Sequence, residues 1–584
     1  MSGEITPSLI KQFEAIVGPS YCFSEYEIRW TYAFGGSLLE RSWIPDLILI
    51  PQNTSQISEI LKLSNKNSIP IIPRGSGTSL SAGHLSALGG IILDLNQMNK
   101  IINIDIQNNL VEVEPGVICD VLNKKLEPYG YFFPPDPGSS SVCTIGGMCA
   151  TNAGGIQAFK YGVTKDYVLY LEVALTNGDI VRFGTEVLKS TSSYNIKDLF
   201  IGSEGTLGVI TKIGLRIKPL PLFRKLGLYI FKSIDILNEA VIELRKKGIV
   251  PIMLEFLDKT TTDVVFNYLK SEFMDYPHGY VLIADMDGFS LSEVNENFNY
   301  LHRVLTSYEL EFYQIAETDK ERENLINARK SALPALARAA PSCCLEDCTI
   351  KISDFSKIIK KIENLPKDLD LSYLKVATFG HMDGNLHPTF LFNENSEQEV
   401  QEFDKAIKSL YDDIILPAKG TITGEHGIGK IKTPFLIKEQ GKEVVEIMHE
   451  IKKLFDPKLI FNPGMGKGDD KTPRFQDSPR RLINLPNNLL ELNCIRCGFC
   501  TTDCPSKIHY LNEAFSPRGR LSILNGLVHG DLTLKNQELL NEIFHSCTLC
   551  GWCLSQCPAG VPTQEIFENA RLILHEDKKH GNKS

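Results

Sequence analysis

The apolar positions of this chain fall into two rhythms. Residues 46–51, 69–73, 90–94 and 110–115 are short apolar runs bounded by Gly, Pro or acidic residues. They are too short for helices and predict strands. Between the first two, residues 55–65 place Ile57, Ile60 and Leu61 on one face of a helix. The first 44 residues mix apolar and polar positions and predict a helical segment. From 221 to about 415, helix-like stretches (233–247 and 394–415) alternate with strand candidates such as 280–284. The pattern then breaks: residues 466–473 are polar, contain Gly and Pro and have no apolar period, the mark of a linker.

Such a mixture predicts an α+β protein. Its 584 residues exceed one hydrophobic core and imply three or four domains. Apolar residues at 43% and charged residues at 23% describe an ordinary globular chain. The net charge of -10 gives no reason to expect nucleic acid or an anionic membrane surface as partner. Neither a signal peptide nor a transmembrane segment is expected, since no basic-then-apolar leader opens the chain and no window approaches 18 apolar residues.

The cysteines change the picture. Cys494, Cys497, Cys500 and Cys504 follow C-x2-C-x2-C-x3-C-P, and Cys547, Cys550, Cys553 and Cys557 repeat it. In this spacing three thiolates hold one [4Fe–4S] cube and the fourth reaches a neighbouring cube. A single copy could serve zinc; two copies with the trailing Cys-Pro predict two [4Fe–4S] clusters. Cross-ligation assigns Cys494, Cys497, Cys500 and Cys557 to one cluster and Cys547, Cys550, Cys553 and Cys504 to the other. The remaining seven of the 15 cysteines have no disulfide rhythm and are expected as small buried hydrophobes. Clusters and free thiols together fit a reducing cytoplasm, free or peripheral at the inner face of the membrane.

After the second strand comes Pro73-Arg74-Gly75-Ser76-Gly77-Thr78-Ser79. Backbone N–H groups of such a loop can approach an anion, and its hydroxyls add donors. It is not G-x-G-x-x-G, because Leu80 stands at the third glycine, and no Gly-Lys-Ser/Thr of a Walker loop follows. Taken alone, such a loop is more often a plain turn. Further on come Pro134-Pro135-Asp136-Pro137-Gly138-Ser139, Thr144 to Gly155 and Gly202-Ser203-Glu204-Gly205-Thr206.

In that order these motifs resemble the FAD-binding oxidoreductases of the vanillyl-alcohol oxidase/PCMH superfamily. Within it they are most similar to the branch of D-lactate dehydrogenases, glycolate oxidase flavoprotein subunits and D-2-hydroxyglutarate dehydrogenases. The resemblance covers residues 40 to 470. It implies a PCMH-type FAD-binding domain with an inserted α+β substrate (cap) domain. FAD would meet Arg74, Gly75, Ser76, Gly77, Thr78, Ser79, Pro135, Asp136, Ser139, Thr144, Gly147, Asn152, Gly155, Glu204, Gly205 and Ile210. No His or Cys lies between Arg74 and Gly83 to tether the flavin, with His84 just outside, so a non-covalent flavin is expected.

Two later segments carry histidines: His381 to His387, and Glu425-His426 within a Gly-rich stretch. His381, His387 and Glu425 form a ligand set suited to Zn²⁺, Mn²⁺ or Fe²⁺. From spacing alone three structural histidines fit equally well. The resemblance implies the metal site, with His426 as the general base and Arg329 as a fork on the substrate carboxylate. Asn385 would join Arg329 and His426 at the substrate. The chain departs from the family pattern in lacking one glycine between His381 and Asp383 and in having Thr389 and Lys351 at positions where relatives carry Asn and Pro. Lys351 reads either as a contact for a second carboxylate or as a solvent-facing lysine.

Ser516-Pro517-Arg518-Gly519-Arg520 and the residues after Cys557 resemble the N-terminal part of glycolate oxidase iron–sulfur subunits, implying a C-terminal helical ferredoxin-like domain. The cysteine-rich CCG domains of those subunits do not follow. The predicted division is 1–44 helical, 45–220 FAD-binding, 221–419 substrate domain, 420–468 closing onto FAD, 469–488 linker, 489–570 cluster domain and 571–584 polar tail. The expected reaction is oxidation of a small D-2-hydroxy acid, D-lactate or glycolate, to the 2-oxo acid. Electrons would leave through the clusters to an external acceptor: a CCG-domain subunit, an electron-transfer flavoprotein, a ferredoxin or a quinone-linked protein. The rival is an electron-transfer component with a degenerate substrate site, which the shortened His381–His387 loop favours. Non-redox chemistry like that of alkylglycerone-phosphate synthases would leave the clusters without a use.

Overall fold

Among the described residues, three large sheets, a two-stranded sheet of Tyr131–Phe132 and Lys218–Pro219, and a helical module make up the protein. The computed structural model describes residues 3–36, 43–270, 272–394, 396–465 and 494–580; the linker expected at 469–488 lies outside the described residues. Three of the four predicted runs form parallel strands, ordered Leu47–Leu49, Ile91–Asp94, Ile71–Arg74. Parallel neighbours need a crossover, and helix Thr54–Asn67 supplies one. Asn53 caps it by accepting from Gln56 N, and Ser68 ends it in the left-handed conformation. The buried face of this helix, Ile57, Ile60 and Leu61, packs with Leu47, Leu49 and Ile71.

The fourth run, Leu110–Val113, joins an antiparallel sheet ordered Ile101–Asp105, Leu110–Val113, Val209–Arg216, Val168–Ala174, Ile180–Gly184. The largest sheet is antiparallel and runs Phe312–Ile315, Phe223–Phe231, Tyr280–Gly288, Met253–Leu257, Lys375–His381, Asn385–Phe392, Ser342–Leu345. Helices cover both faces: Ile234–Lys246, Leu291–Thr306 and Phe355–Asp368 on one, Lys259–Tyr268, Asp319–Lys330 and Ala332–Ala339 on the other. Its inner strands are therefore buried along their whole length, which is why residues 280–284 read as a continuous apolar run. The chain then returns to the first sheet, where Ile71 N donates to Ile460 O and Asn462 N to Ile71 O.

The C-terminal module is built from helices Pro505–Tyr510, Pro517–His529, Gln537–His545, Trp552–Ser555 and Thr563–His580. Its core is shared with the N-terminal segment, where Trp30, Tyr32 and Phe34 pack with Phe515, Leu521 and Ile523. Trp30 Nε1 donates to Ser522 O at 2.8 Å. Tyr32 OH donates to Asp94 at 2.9 Å and accepts from Glu513 N at 3.2 Å. One tyrosine thereby links the first sheet to the cluster module.

Two boundaries differ from expectation. The N-terminal segment is helical at Pro7–Val17 and Tyr26–Thr31, but Cys22–Phe23 between them is a strand that pairs with Leu47–Leu49 and covers that sheet edge. Residues 571–584, expected as a polar tail, begin inside helix Thr563–His580. Ile566, Phe567, Ala570 and Leu574 are buried at helical spacing and hold it to the module. Among the described residues no helix is long and apolar enough to cross a membrane.

Candidate active site

A cavity of about 800 Å³ runs from the loop at 73–81 past residues 137–141 to His381, His387 and His426. Ligand sites span roughly 300–1,000 Å³. The loop leaves strand Ile71–Arg74, and Gly77 takes φ +64°, where an added Cβ would stand 2.5 Å from the Arg74 guanidinium. Across the cavity a Cβ at Gly155 would lie 2.2 Å from the Asp136 carbonyl oxygen. Arg74 is buried, with Nη1 donating to Tyr32 O at 3.2 Å and Nη2 without a hydrogen-bond partner. A buried guanidinium nitrogen beside a glycine-lined cradle fits an anionic pyrophosphate.

The flavin-contact residues expected from the sequence line this cavity, except Pro135 and Asn152. Asn152 ends helix Ile145–Thr151 in the left-handed conformation, and its Oδ1 accepts from Lys165 N. The Pro135 carbonyl accepts from the Cys119 thiol behind the wall. Glu204 lines the cavity while accepting from Ile428 N and Gly429 N; burial pushes its carboxyl up to about 7. His84 also lines it, and burial beside Arg74, Arg518 and Lys430 holds its pKa well below the ordinary imidazole value.

At the far end three imidazoles surround one carboxylate oxygen. Glu425 Oε1 lies 3.7 Å from His381 Nε2, 3.3 Å from His387 Nε2 and 3.5 Å from His426 Nε2. The ligand atoms of His381, His387 and Glu425 all lie within 4.8 Å of one another, whereas His426 groups with His387 and Asp347. The missing glycine does not separate the two loop histidines. Strands Lys375–His381 and Asn385–Phe392 pair directly, and the turn closes with Gly384 N donating to His381 O at 3.1 Å. Gly384 takes φ +112°, and a Cβ there would strike Ile350 O at 2.1 Å. The rival's main support is thereby removed.

The electrostatics suit this arrangement. Burial opposes ionisation of Glu425, but the three imidazoles outweigh it and hold the carboxyl well below its usual range. Burial likewise opposes charge on His426, yet Asp347 and Glu425 raise its pKa above the ordinary imidazole value.

Two carboxylates that the sequence did not single out position these groups. Glu255 stands opposite His381 in the register of Met253–Leu257 against Lys375–His381. It holds His381 Nδ1 at 2.6 Å and pairs with Arg329 Nε. Arg329 lines the cavity, with its guanidinium over the Phe379 ring at 4.7 Å from the ring centre. Asp347 Oδ2 accepts from the backbone N–H of Gly424, Glu425 and His426 at 2.8, 3.0 and 3.0 Å. Asn385, expected at the substrate, does not line the cavity; its amide donates to Asp347 Oδ1 at 2.7 Å. Lys351 is exposed and stands outside the cavity. A lone acid in the apolar run 252–257 was the available signal for Glu255.

Two smaller voids lie in the helical module. Cys494, Cys497, Cys500 and Cys557 border one; Cys504, Cys547, Cys550 and Cys553 border the other, with Cys553 touching both. Four thiols around each void fit a cube, and the grouping is the one cross-ligation requires. Burial pushes the Cys497 thiol up to about 12, so its ionisation calls for a bound cation. Cys497, Phe499, Gln556 and Pro558 also line the large cavity, which brings the first set against the flavin site.

Comparisons with known proteins agree with this layout. Family profiles match residues 45–184 (FAD binding domain), 220–465 (FAD linked oxidases, C-terminal domain) and 492–561 (4Fe-4S dicluster domain). The chain is 37% identical over 461 residues to "Glycolate oxidase subunit GlcD" of Bacillus subtilis, covering 79% of this chain and 97% of that protein. It is 31% identical over 477 residues to "D-lactate dehydrogenase" of Anaerostipes hadrus, with the same coverage of each. Among solved structures, p-cresol methylhydroxylase matches with a TM-score of 0.65 at 19% identity, over 79% of this chain and 96% of that one. An alkyldihydroxyacetonephosphate synthase matches at 0.63 and 20%, over 79% and 85%. These two show the PCMH-type fold alone. The chain belongs to the family of FAD-linked oxidoreductases that includes these glycolate oxidase subunits and D-lactate dehydrogenases, and it carries a 4Fe-4S dicluster domain at its C-terminal end.

Proposed function

We propose that this member of the family oxidises a small D-2-hydroxy acid, D-lactate or glycolate, to the 2-oxo acid and passes the electrons through two [4Fe–4S] clusters to an external protein acceptor. The observation that carries the reading is the convergence of His381, His387, Glu425, His426 and Arg329 on one cavity that continues to the phosphate loop and to Cys497. Bound FAD supplies a two-electron acceptor and the clusters a one-electron outlet.

Within that frame the side chains have separate tasks. Arg329, anchored by Glu255, pairs with the substrate carboxylate. His426 accepts the hydroxyl proton, its imidazole oriented by the Asp347 contacts to its own loop. His381, His387 and Glu425 would hold a divalent ion, whose Lewis acidity would favour loss of that proton. The flavin is held without a covalent tether, by the glycine cradle and Arg74. The acceptor is a CCG-domain subunit, an electron-transfer flavoprotein, a ferredoxin or a quinone-linked protein.

The test is an anaerobic assay of purified protein with a panel of D- and L-2-hydroxy acids and an artificial dye. Dye reduction with D-lactate or glycolate is expected, with weak response to the L-acids. No reduction with glycolate or any D-acid, in protein holding flavin and iron, would overturn the reading.

A further inference from the structure

The Ser516-Pro517-Arg518-Gly519-Arg520 stretch has no task in the chemistry described so far. Pro517 opens helix Pro517–His529, and Ser516 caps it by accepting from Gly519 N at 2.9 Å. A Cβ at Gly519 would stand 1.9 Å from the Glu513 carbonyl oxygen, so two arginines flank a position that admits no side chain. Two residues apart, helical side chains point roughly 200° from each other. Arg518 accordingly borders the void of Cys494, Cys497, Cys500 and Cys557, and Arg520 borders the void of Cys504, Cys547, Cys550 and Cys553.

Their other contacts differ. Arg518 Nε pairs with Glu513 at 2.7 Å. Its Nη2 donates to Ser76 O at 2.9 Å and its Nη1 to Gly77 O at 3.3 Å, which ties the cluster module to the phosphate loop. Arg520 is fully buried at 0% exposure. Nε donates to Ile543 O and Nη2 to Ser546 Oγ, while Nη1 has no hydrogen-bond partner. Among the described residues no carboxylate pairs with it. A buried cation without a counter-charge is costly. Four thiolates holding an iron–sulfur cube make a net anion, and that anion is the missing partner. Arg571 adds to the same side, its Nε donating to Phe544 O and its Nη2 to Cys547 O.

We propose that Arg518 and Arg520 are positioning residues that set the reduction potentials of the two clusters, one each, and that the unpaired Arg520 holds the cluster of Cys504, Cys547, Cys550 and Cys553 at the higher potential. Positive charge beside a cluster favours its reduced, more negative form. The charge of Arg518 is offset by Glu513, and Arg496, which also borders the first void, turns its guanidinium over the Phe34 ring; among the described residues Arg520 has no carboxylate beside it. The potential gradient therefore draws electrons away from the flavin cavity. The proposal rests on the cluster assignment made under Proposed function.

The experiment is an anaerobic redox titration of the holoprotein followed by electron paramagnetic resonance, with iron and flavin quantified. Wild type, Arg518→Gln, Arg520→Gln and Arg520→Lys are compared, and Cys550→Ser identifies which signal belongs to its cluster. Wild type is expected to show that signal at the higher potential. Arg520→Gln should lower it by about 59 mV or more, a tenfold change in a one-electron equilibrium, and leave the other unmoved. Arg520→Lys should restore it. Arg518→Gln should lower only the other potential and release flavin more readily on dilution. Should Arg520→Gln fail to assemble its cluster, an Arg520→Lys variant with about eight irons per chain supports the charge role, and one lacking them overturns it. Variants that move both potentials or neither overturn the proposal, as does a wild-type order with the Cys550 cluster lower. Wild-type protein without iron overturns the cluster assignment itself, and this proposal with it.

Discussion

Cys497 and Cys550 hold the same place in two copies of one motif, yet Cys497 lines the flavin cavity and Cys550 is exposed beside Trp552, itself 37% exposed. Spacing alone makes the two sets equivalent. Their surroundings do not. The first set is pressed between the phosphate loop and the helical module, with Ile495, Phe499 and Pro558 closing the space around it. The second is held by buried Arg520 on one side and opens to solvent on the other. Identical ligand spacing thus yields an inner and an outer cysteine set, and the proposed direction of electron flow follows from what each copy packs against.

The sharpest way to break that comparison is to remove one station at a time. With Cys497→Ser, substrate should still bleach the flavin, but the outer cluster should stay oxidised, so onward transfer is abolished. With Cys550→Ser, the inner cluster should reduce as in wild type while delivery to a protein acceptor is lost. Stopped-flow absorbance, supported by electron paramagnetic resonance of samples frozen during turnover, distinguishes the two. Equal behaviour of the variants would mean that the stations are not in series.

Next in size is a block upstream of both stations. His426→Ala should lower substrate-driven flavin reduction by about 10²-fold or more, the scale of a lost general base, and leave both clusters oxidised yet fully assembled. Glu425→Gln should lose activity together with a divalent metal, measured by elemental analysis after the cluster iron is subtracted. Near-normal flavin reduction in His426→Ala would place the base elsewhere. An active wild type with no divalent metal beyond cluster iron would leave Arg329 and His426 as the whole catalytic set.

The two regions were also unequally legible in the sequence. The cysteine sets could be grouped because their ligands lie a few residues apart and their chemistry needs that spacing. The strands of the first sheet were equally visible, as apolar runs between breakers. Glu255 and Asp347 act across 126 and 78 positions of sequence, and only strand register and loop closure bring them to His381 and Glu425. Asn385 shows the reverse error: it sits between the right histidines, but the hairpin turns its amide toward Asp347. The shortened loop was legible as a departure; that Gly384 would absorb it depended on the packing of Ile350 against the turn.

Glu255 allows the smallest and most discriminating test. Glu255→Gln keeps the shape of the side chain and removes the charge that His381 and Arg329 share. The carboxylate orients His381 through Nδ1, and supporting partners of metal-binding histidines usually carry 10–100-fold effects. A fall in turnover of about 10–100-fold is therefore expected, smaller than the loss on removing His426, because no reacting group is lost. The same substitution releases Arg329 Nε, so KM for the hydroxy acid should rise alongside the fall in kcat. Both clusters should keep their potentials, since Glu255 borders neither void. Reduced metal retention with a raised KM would assign Glu255 to both neighbours. A fall in kcat with unchanged KM would leave it to His381 alone, and unchanged kinetics would reduce it to a packed acid whose charge the site does not need.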